Sequence, residues 1–304
     1  MVTKTRRKSP DESSLDEGAH LRWSVEQRLA FVEERLFWIG AVNRNDLVRR
    51  FGVSMSQASA DIGRYLARRP PGVAYDKSAK RYVAGENFRP TRATPNTGRL
   101  LGELRLVNVG TLAPEDAMLG MAPPFDATPV PERAVDPFVL RAVLWAVRHR
   151  GALDVAYQSM SRPGAARRII EPHAFAHDGF RWHARAFDRE TSKFRDFVLG
   201  RMTKPKRAGD ARSVPEDDVD WRSFVRLRIA PHPGLTRGQS RAIAIDYGIR
   251  GGSTVMNVRR SLLFYALKRL GLDAASDIRP PREQHIVLLN RAEVEAALDR
   301  LGDT

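Results

Sequence analysis

Residues 45–54 read Asn-Asp-Leu-Val-Arg-Arg-Phe-Gly-Val-Ser, and this stretch decides the fold of the N-terminal part of the chain. A short helix over residues 46–51 is predicted to stop at Gly52, because glycine adopts the left-handed conformation of a tight turn at low steric cost. Val53 is placed to fill the angle between two helices, and Ser54 is a typical N-cap of the second helix. Together these features are typical of a helix-turn-helix.

The flanking residues supply two further helical signals. Upstream, apolar residues at three- and four-residue steps predict a helix over 23–40. The residues of this stripe are Leu29, Val32, Leu36 and Ile39. Ser24 and Gln27 have the spacing of a capping box, which predicts that this helix starts there. Downstream, the helix capped by Ser54 is predicted to end before Pro70, because proline lacks the N–H that a continuing helix needs.

A β-hairpin is predicted after the third helix. Residues 73–75 and 81–83 have the composition of short strands, and residues 76–79 between them read as a turn. Three helices followed by a hairpin are the element order of a winged helix-turn-helix, in which the hairpin is the wing. A helical hairpin from a protein–protein module is the alternative that this pattern leaves open.

The third helix is predicted to present polar and small side chains opposite its apolar stripe. Ala58, Ile62 and Leu66 fall on the stripe, so Gln57 and Arg64 face outward. Small side chains let the helix backbone approach a DNA groove, and a glutamine can bond an adenine edge bidentately. Cations at the helix end and on the wing suit phosphate contacts. The predicted DNA-binding residues are Ser54, Ser56, Gln57, Ser59, Arg64, Arg68, Lys77, Lys80 and Arg81.

The charge of the chain supports an anionic partner. Its 304 residues include 51 Lys and Arg against 36 Asp and Glu, a formal net charge of +15. Residues 21–90 alone hold 13 Lys and Arg against 7 Asp and Glu. Nucleic acid is the commonest anionic partner of so basic a protein. A surface that is basic only for solubility is the alternative.

Composition also excludes several classes of protein. The chain has no cysteine, which excludes disulfides, thiolate metal sites and cysteine nucleophiles. Residues 1–18 lack the apolar core of a secretory signal, and no window approaches the roughly 18 apolar residues of a membrane span. We therefore expect a cytoplasmic protein with no membrane partner.

The predicted fold class is α+β with several domains. Proline-rich residues 111–138 are expected to form an irregular connection between helices over 97–107 and 137–150. After residue 221, strand and helix signals alternate three times, which predicts a small α/β module. The predicted divisions are a disordered tail over 1–20, the winged helix-turn-helix over 21–90, a helical linker or dimerisation region over 91–150, a β unit over 151–207, a linker over 208–220 and the C-terminal module over 221–304.

The hydrophobic pattern of the β unit alternates with a period of two. Four strands are predicted, over residues 152–159, 167–176, 180–187 and 194–201. On the third strand Arg181, His183 and Arg185 share one face. Cationic, aromatic and hydroxyl groups on a small sheet suit an anionic ligand with rings that stack. A solvated basic sheet face is the alternative.

Four segments of this unit resemble the WYL domain in order and spacing. They are Tyr157-Gln158-Ser159, Arg168-Ile169-Ile170-Glu171-Pro172-His173, Phe180-Arg181-Trp182-His183-Ala184-Arg185-Ala186 and Phe194-Arg195-Asp196-Phe197-Val198-Leu199-Gly200-Arg201. With the winged helix-turn-helix before them and the α/β extension after them, nearly the whole chain is similar to WYL transcriptional regulators. The segment around Trp182 is similar to the repressors associated with CBASS and BREX anti-phage systems. His183 and Ala184 depart from the Tyr and Leu of the family triplet.

The resemblance implies a small Sm-like β-barrel that senses a nucleic-acid-derived ligand, either a nucleotide or a single strand. It also implies a homodimer built partly through the C-terminal extension. On the family pattern the ligand-binding residues are Tyr157, Ser159, Arg168, His173, Trp182, His183, Arg185, Arg195, Phe197 and Arg201.

No catalytic residue, metal site or cofactor is predicted. His173 and His177 are four apart, but this spacing gathers two metal ligands on one side only in a helix, and here it runs from a strand into a turn. A nucleophile–base pair at Ser159 would need an inward-pointing acid such as Asp178 or Asp196. Polar residues that line a ligand site explain these groups more simply, so we do not expect an enzyme.

The expected function is a homodimeric repressor that binds an inverted-repeat DNA operator through two winged helices. Control of an anti-phage defence operon and release by a WYL ligand follow from the resemblance. Two alternatives stay open. A ligand-activated transcriptional activator shares every motif, and a single-stranded nucleic-acid-binding module would use the basic β face.

Overall fold

The structure is a computed structural model that describes residues 24–92, 94–120, 123–129, 131 and 133–301, together with the helical backbone of 11–23. The chain divides into two units, Met1–Val130 and Pro131–Thr304. Among the described residues, no helix combines the length and the apolar character that crossing a membrane requires.

The N-terminal unit holds the predicted helices and hairpin. Its elements are α1 (Asp11–Ile39), β1 (Ala41–Val42), α2 (Arg44–Phe51), α3 (Met55–Leu66), β2 (Val73–Asp76), β3 (Arg81–Ala84) and α4 (Thr97–Asn108). The strands form one antiparallel sheet in the order β1-β3-β2. The short strand β1, which the sequence pattern missed, therefore ties the chain after α1 to the hairpin.

Helix α1 corrects the predicted start of the ordered chain. It begins at Asp11, so residues 11–20, predicted to be a disordered tail, are helical, and Ser24 lies inside the helix instead of capping it. Four acidic residues between positions 11 and 17 suit a helix N-terminus, where negative charge complements the helix dipole. The first ten residues of the predicted tail lie outside the described residues.

The helix-turn-helix forms as the local signals predict. Asn43 begins α2 with a capping box that includes Asp46. Gly52 ends it with φ 64°, in the left-handed region. Ser54 caps α3, its hydroxyl accepting a hydrogen bond from the backbone N–H of Gln57 at 3.1 Å. The three helices pack around one apolar core that includes Leu29, Val32, Leu36, Leu47, Ala58, Ile62 and Tyr65.

The C-terminal unit begins with a helix packed on a five-stranded sheet. Its first elements are α5 (Pro137–His149), β4 (Gly151–Tyr157), β5 (Ala166–His177), β6 (Trp182–Asp188), β7 (Lys193–Val198) and β8 (Met202–Asp210). Val139, Val143 and Ala146 of α5 are fully buried against the sheet. The sequence pattern missed β8 and extended the fourth predicted strand through the 3-10 turn Leu199–Arg201.

The predicted Sm-like β-barrel is not confirmed, because the five described strands form one open sheet. Its strand order is β7-β6-β5-β4-β8, and in the described part of the chain no ladder joins β7 to β8. Strand β5 carries an irregularity between Pro172 and Ala174, and the β4–β8 pairing shifts register twice. Such bulges bend a strand and increase its twist.

The rest of the unit is the predicted alternation of strands and helices. Its elements are α6 (Val219–Arg222), β9 (Phe224–Pro231), α7 (Arg237–Asp246), β10 (Thr254–Arg259), α8 (Leu263–Leu270), β11 (Ile286–Leu288) and α9 (Arg291–Asp299). The sheet is antiparallel, in the order β10-β9-β11. Leu227, Leu263, Leu272 and Val294 are fully buried in its core.

Candidate nucleic-acid interface and ligand pocket

Helix α3 presents the predicted polar surface. Ser54, Ser56, Ser59, Arg64 and Arg68 are all exposed. The hydroxyls of Ser54 and Ser56 lie 2.9 Å apart, and that of Ser59 donates to the backbone carbonyl of Met55 at 2.9 Å. Because the exposed side chains are short or flexible, the helix surface can approach a groove closely.

A buried carboxylate fixes two of these side chains. Asp61 is fully buried on α3 and accepts from Arg28 Nε at 2.6 Å. Its other oxygen accepts from Gln57 Nε2 at 3.0 Å and lies 3.6 Å from an Arg64 nitrogen. Gln57 therefore has one N–H committed to Asp61 and keeps its second N–H and its carbonyl oxygen for another partner. The sequence pattern missed Asp61, because a charged residue next to the apolar stripe reads as a surface position.

The wing keeps its cations exposed. Asp76 Oδ1 accepts from the backbone N–H groups of Ser78 and Ala79, both at 2.9 Å, which closes the hairpin turn. Lys77 and Lys80 are exposed on this turn, and Arg81 is exposed at the start of β3. Their charges are therefore available to an anionic partner, as the prediction of phosphate contacts requires.

A polar cleft of about 210 Å³ lies between the wing, α3 and the start of α2. It is lined by Asn43, Arg44, Ser59, Ile62, Tyr75, Lys80 and Tyr82. Arg44 and Tyr75 were not predicted as contacts, and both are exposed. Only the packing of the hairpin on the helices brings these residues, distant in sequence, beside Ser59.

The predicted ligand-binding residues of the β unit do not meet in one pocket. Arg185 is buried, and its guanidinium donates to both oxygens of Asp218, at 2.7 and 2.9 Å. It also lies 3.3 Å from Asp196 and 3.7 Å from Asp220. His173 Nε2 lies 2.9 Å from the same Asp218 carboxylate. These contacts make Arg185 and His173 part of an internal ion network.

Asp218 has an unusually low pKa within this network. Burial alone would raise it, but hydrogen bonds from Arg185 and His173, together with the Arg185 charge, hold the pKa of Asp218 well below its usual range. The carboxylate therefore stays ionised at neutral pH. The cationic face predicted from alternation is thus covered by acids from the linker and from β7.

Four further predicted residues are held by internal partners. Arg168 donates to Asp188 at 2.5 Å and lies 3.1 Å from Glu190. His183 Nε2 lies 3.0 Å from Asp178 Oδ2. The remaining two are core aromatics: Tyr157 and Phe197 are buried with ring centroids 5.0 Å apart, and the Tyr157 hydroxyl accepts from the Val198 N–H at 3.2 Å.

Two predicted residues do line a common pocket. Trp182, whose side chain is 52% exposed, and Arg201 border a pocket of about 190 Å³. Arg133 and Arg181, which were not predicted, add two more guanidinium groups to its wall. At Gly200 a Cβ would lie 2.8 Å from the Ala134 carbonyl oxygen, so the close approach that shapes the pocket needs glycine there.

The last two predicted residues lie outside this pocket. Ser159 is half-buried, with its hydroxyl 3.2 Å from that of Ser161, and Arg195 is exposed on β7. Within the described residues, no group of three or more His, Asp or Glu side chains is arranged to hold a metal ion. The arrangement that remains is an exposed indole that can stack on a planar group, beside Arg133 and Arg201, which can neutralise an anion. Arg181, the third arginine of the wall, is paired with Asp178 at 3.1 Å.

Family models match three successive segments of the chain. The BrxR transcriptional regulator winged helix-turn-helix domain matches residues 24–105, the WYL domain residues 139–207, and the BrxR transcriptional regulator C-terminal dimerization domain residues 224–294. The DNA-binding transcriptional repressor CapW of Stenotrophomonas maltophilia is 36% identical over 276 residues, covering 90% of this chain and 92% of the relative. The chain belongs to the CapW family of WYL-domain regulators.

Other CapW proteins match at the same level. The repressor of Pseudomonas aeruginosa is 35% identical over 289 residues, covering 95% of this chain and 97% of the relative, and that of Escherichia coli strain KTE188 is 34% identical over 277 residues, covering 91% and 93%. Among solved structures, proteasome accessory factor B/C of Arthrobacter aurescens matches at 16% identity with a TM-score of 0.25, and the chain spans about half of that protein's length. The CapW matches confirm the predicted family, and the family models confirm the predicted winged helix-turn-helix and WYL domain.

Proposed function

We propose that this chain is a homodimeric, sequence-specific DNA-binding transcriptional repressor. The observation that carries the proposal is the surface of α3 and the wing, where polar side chains and unburied cations face outward beside a capped helix-turn-helix. The CapW relatives, which are DNA-binding transcriptional repressors, support the same function. The C-terminal match to a dimerization domain supports a dimer, and a symmetric dimer binds an inverted-repeat operator.

In this proposal Gln57 and Arg64 contact base edges, while Arg68 and the wing cations contact phosphates. The tie to Asp61 holds the Gln57 amide in one orientation, which leaves an N–H and a carbonyl oxygen for the bidentate pattern that adenine offers. Arg44, which lines the same polar cleft as Lys80, adds a phosphate contact that the sequence alone did not indicate.

The pocket at Trp182 is the proposed ligand-sensing site. Its indole suits a stacked base, and Arg133 and Arg201 suit phosphate groups, so a nucleic-acid-derived ligand fits its chemistry. Such a ligand releases the operator only if it binds the DNA-free conformation more tightly than the DNA-bound one. The resemblance to CBASS- and BREX-associated repressors supports control of an anti-phage defence operon.

The test of the proposal is titration of a labelled duplex from the chain's own promoter, followed by fluorescence anisotropy. We expect the duplex to bind more tightly than a scrambled duplex, with affinity that falls steeply as salt rises, because phosphate contacts release counterions. Substituting Lys77, Lys80 and Arg81 with alanine should lower the salt slope by about 0.9 for each phosphate that the variant no longer neutralises. Arg105→Ala, which removes an exposed cation of α4, is the matched control.

A single-stranded nucleic-acid-binding module is the second candidate, and the exposed Trp182 among arginines favours it. Competition of the duplex with a single-stranded oligonucleotide of the same sequence separates the two functions. Under the repressor proposal, excess single strand does not occupy the α3 surface, and Trp182→Ala leaves duplex affinity unchanged. A promoter–reporter assay completes the test, because higher output in the presence of the gene would indicate an activator.

A further inference from the structure

The largest of the cavities described in the C-terminal unit shares no lining residue with the Trp182 pocket. Its volume is about 490 Å³, which falls inside the range of roughly 300–1,000 Å³ typical of small-molecule sites. One side is the turn between β5 and β6, and the other is formed by β10 and α8. Its wall consists of His177, Asp178, Met256, Asn257, Val258, Arg259, Leu262, Tyr265, Ala266, Arg269 and Leu270. None of these residues was predicted as a DNA or ligand contact.

The cavity has an uncompensated positive charge. Arg269 is exposed, and in the described part of the chain its guanidinium has no carboxylate within ion-pair distance. Its Cζ would lie 2.8 Å from a Cβ at Gly179, so the glycine at φ +98° makes room for the guanidinium beside the turn. The nearby carboxylate of Asp178 is already satisfied by His183 at 3.0 Å and Arg181 at 3.1 Å. Arg269 is therefore left to attract an anion from solution.

The rest of the wall suits a planar apolar body. Leu262, Ala266 and Leu270 line the α8 side. Burial, together with nearby carboxylates, raises the pKa of Tyr265 to about 12, so its hydroxyl stays protonated and can donate a hydrogen bond. At the opposite wall, the centroid of the His177 ring lies 4.7 Å from that of the Trp182 ring. This contact holds the imidazole in place, so that it offers a flat surface to a ligand.

We infer that this cavity binds an organic anion with a planar, apolar body, whose charged group pairs with Arg269. Aromatic carboxylates and nucleoside monophosphates share this chemistry. The two walls come from the WYL sheet and from the segment matched by the C-terminal dimerization domain. A ligand that contacts both walls stabilises the conformation in which the two walls lie close together. The cavity is therefore a second effector site. This inference does not depend on the proposed DNA binding.

The experiment uses the full chain and 8-anilinonaphthalene-1-sulfonate as a fluorescent probe. We expect saturable enhancement of its fluorescence at one site per chain. The probe is then displaced with two matched pairs, 2-naphthoate against neutral 2-naphthol and AMP against adenosine, with inorganic phosphate as a fifth competitor. The first pair tests an aromatic acid and the second a nucleotide. The anion of at least one pair should compete at least about tenfold better than its neutral partner, because only the anion makes a charge-assisted hydrogen bond to Arg269.

Two variants locate the site. Arg269→Met should weaken the probe and the competing anion by about tenfold or more while leaving the neutral competitors unchanged. Lys268→Met is the control, because Lys268 is the adjacent exposed cation on α8 and does not line the cavity. Circular dichroism and the melting temperature establish that both variants are folded.

Three outcomes would overturn the inference. The first is absence of saturable probe binding. The second is equal competition by the charged and neutral members of both pairs, or displacement by inorganic phosphate as strong as by either organic anion. The third is an equal loss of affinity in Arg269→Met and Lys268→Met, which would indicate a general effect of surface charge.

Discussion

Two groups of cations, one on α3 and the wing and one on the sheet of the WYL domain, look alike in sequence and differ in the structure. Lys77, Lys80 and Arg81 of the wing are exposed. Arg168 and Arg185 of the sheet are enclosed by carboxylates at 2.5–2.9 Å. A basic face is available to an external anion only where the chain does not supply its own acids. The first group is therefore accessible to an external anion, whereas the second is engaged by carboxylates inside the fold.

The largest expected effect comes from breaking the enclosed group. Arg185→Met would leave the buried Asp218 carboxylate without the guanidinium that donates to both of its oxygens. The free energy of unfolding should fall by about 3–5 kcal/mol, the usual cost of removing one partner of a buried ion pair. Urea unfolding followed by tryptophan fluorescence measures this change.

The matched control is Arg195→Met on the neighbouring strand. Because the Arg195 side chain is exposed, this change should alter the free energy of unfolding by less than about 0.5 kcal/mol. If the two variants unfolded at the same urea concentration, the ion network would contribute no net stability and the comparison would fail.

A smaller effect is expected at Asp61, a buried carboxylate that contacts side chains on the outer surface of α3. Asp61→Asn removes the charge that Arg28 and Arg64 contact and should destabilise the N-terminal unit by about 1.5–3 kcal/mol. It should also relax operator sequence preference, because the amide of Gln57 loses its fixed orientation. Thermal unfolding and binding to operators with single-base changes measure the two effects.

Glu86→Gln, a change at an exposed carboxylate of the same unit, controls for the loss of one negative charge. A variant at Asp61 that loses stability yet keeps the complete operator preference would show that Asp61 does not position Gln57.

The enclosed carboxylate of Asp178 should make the stability of the protein depend on pH. Hydrogen bonds from His183 and from the backbone N–H groups of Phe180 and Arg181 outweigh burial and hold the pKa of Asp178 well below its usual range. When the pKa of a carboxyl is lower in the folded state, the group contributes stability at pH values above its unfolded-state pKa, which is about 3.9 for aspartate. This stability is lost as the pH falls through the folded-state pKa. The melting temperature should therefore fall as the pH drops below about 4.

The pH series has its own control pair. Asp178→Asn should make the fall in melting temperature with pH shallower, whereas Asp246→Asn, at an exposed residue of α7, should leave it unchanged. Parallel curves for wild type and Asp178→Asn would mean that Asp178 does not contribute to the acid sensitivity.

Local signals in the sequence predicted the elements of the fold. The cap at Ser54, the turn at Gly52 and the alternation in β6 each depend on a few neighbouring residues, and each predicted the correct element. Long-range pairings were missed. Strand β8 forms by pairing with β4. Arg185 pairs with Asp218, which lies 33 residues away in the sequence. Alternation predicted that His183 and Arg185 share one face, but it did not predict which acids cover that face.

The candidate sites follow the same division. The exposed residues of α3 were predicted because the helix period alone decides which side chains point outward. Arg133 and Arg44 were missed because each joins its pocket through tertiary packing, with no motif around it.

The most direct test compares the two surfaces in one binding assay. Anisotropy titrations of the promoter duplex would use the double variant Gln57→Ala with Arg64→Ala and the double variant Arg195→Ala with Arg201→Ala. Removing base contacts worth about 1–3 kcal/mol each predicts at least tenfold weaker duplex binding for the α3 pair and unchanged binding for the sheet pair. Unchanged binding by the α3 pair, with loss of binding by the sheet pair, would contradict the assignment of DNA recognition to the winged helix.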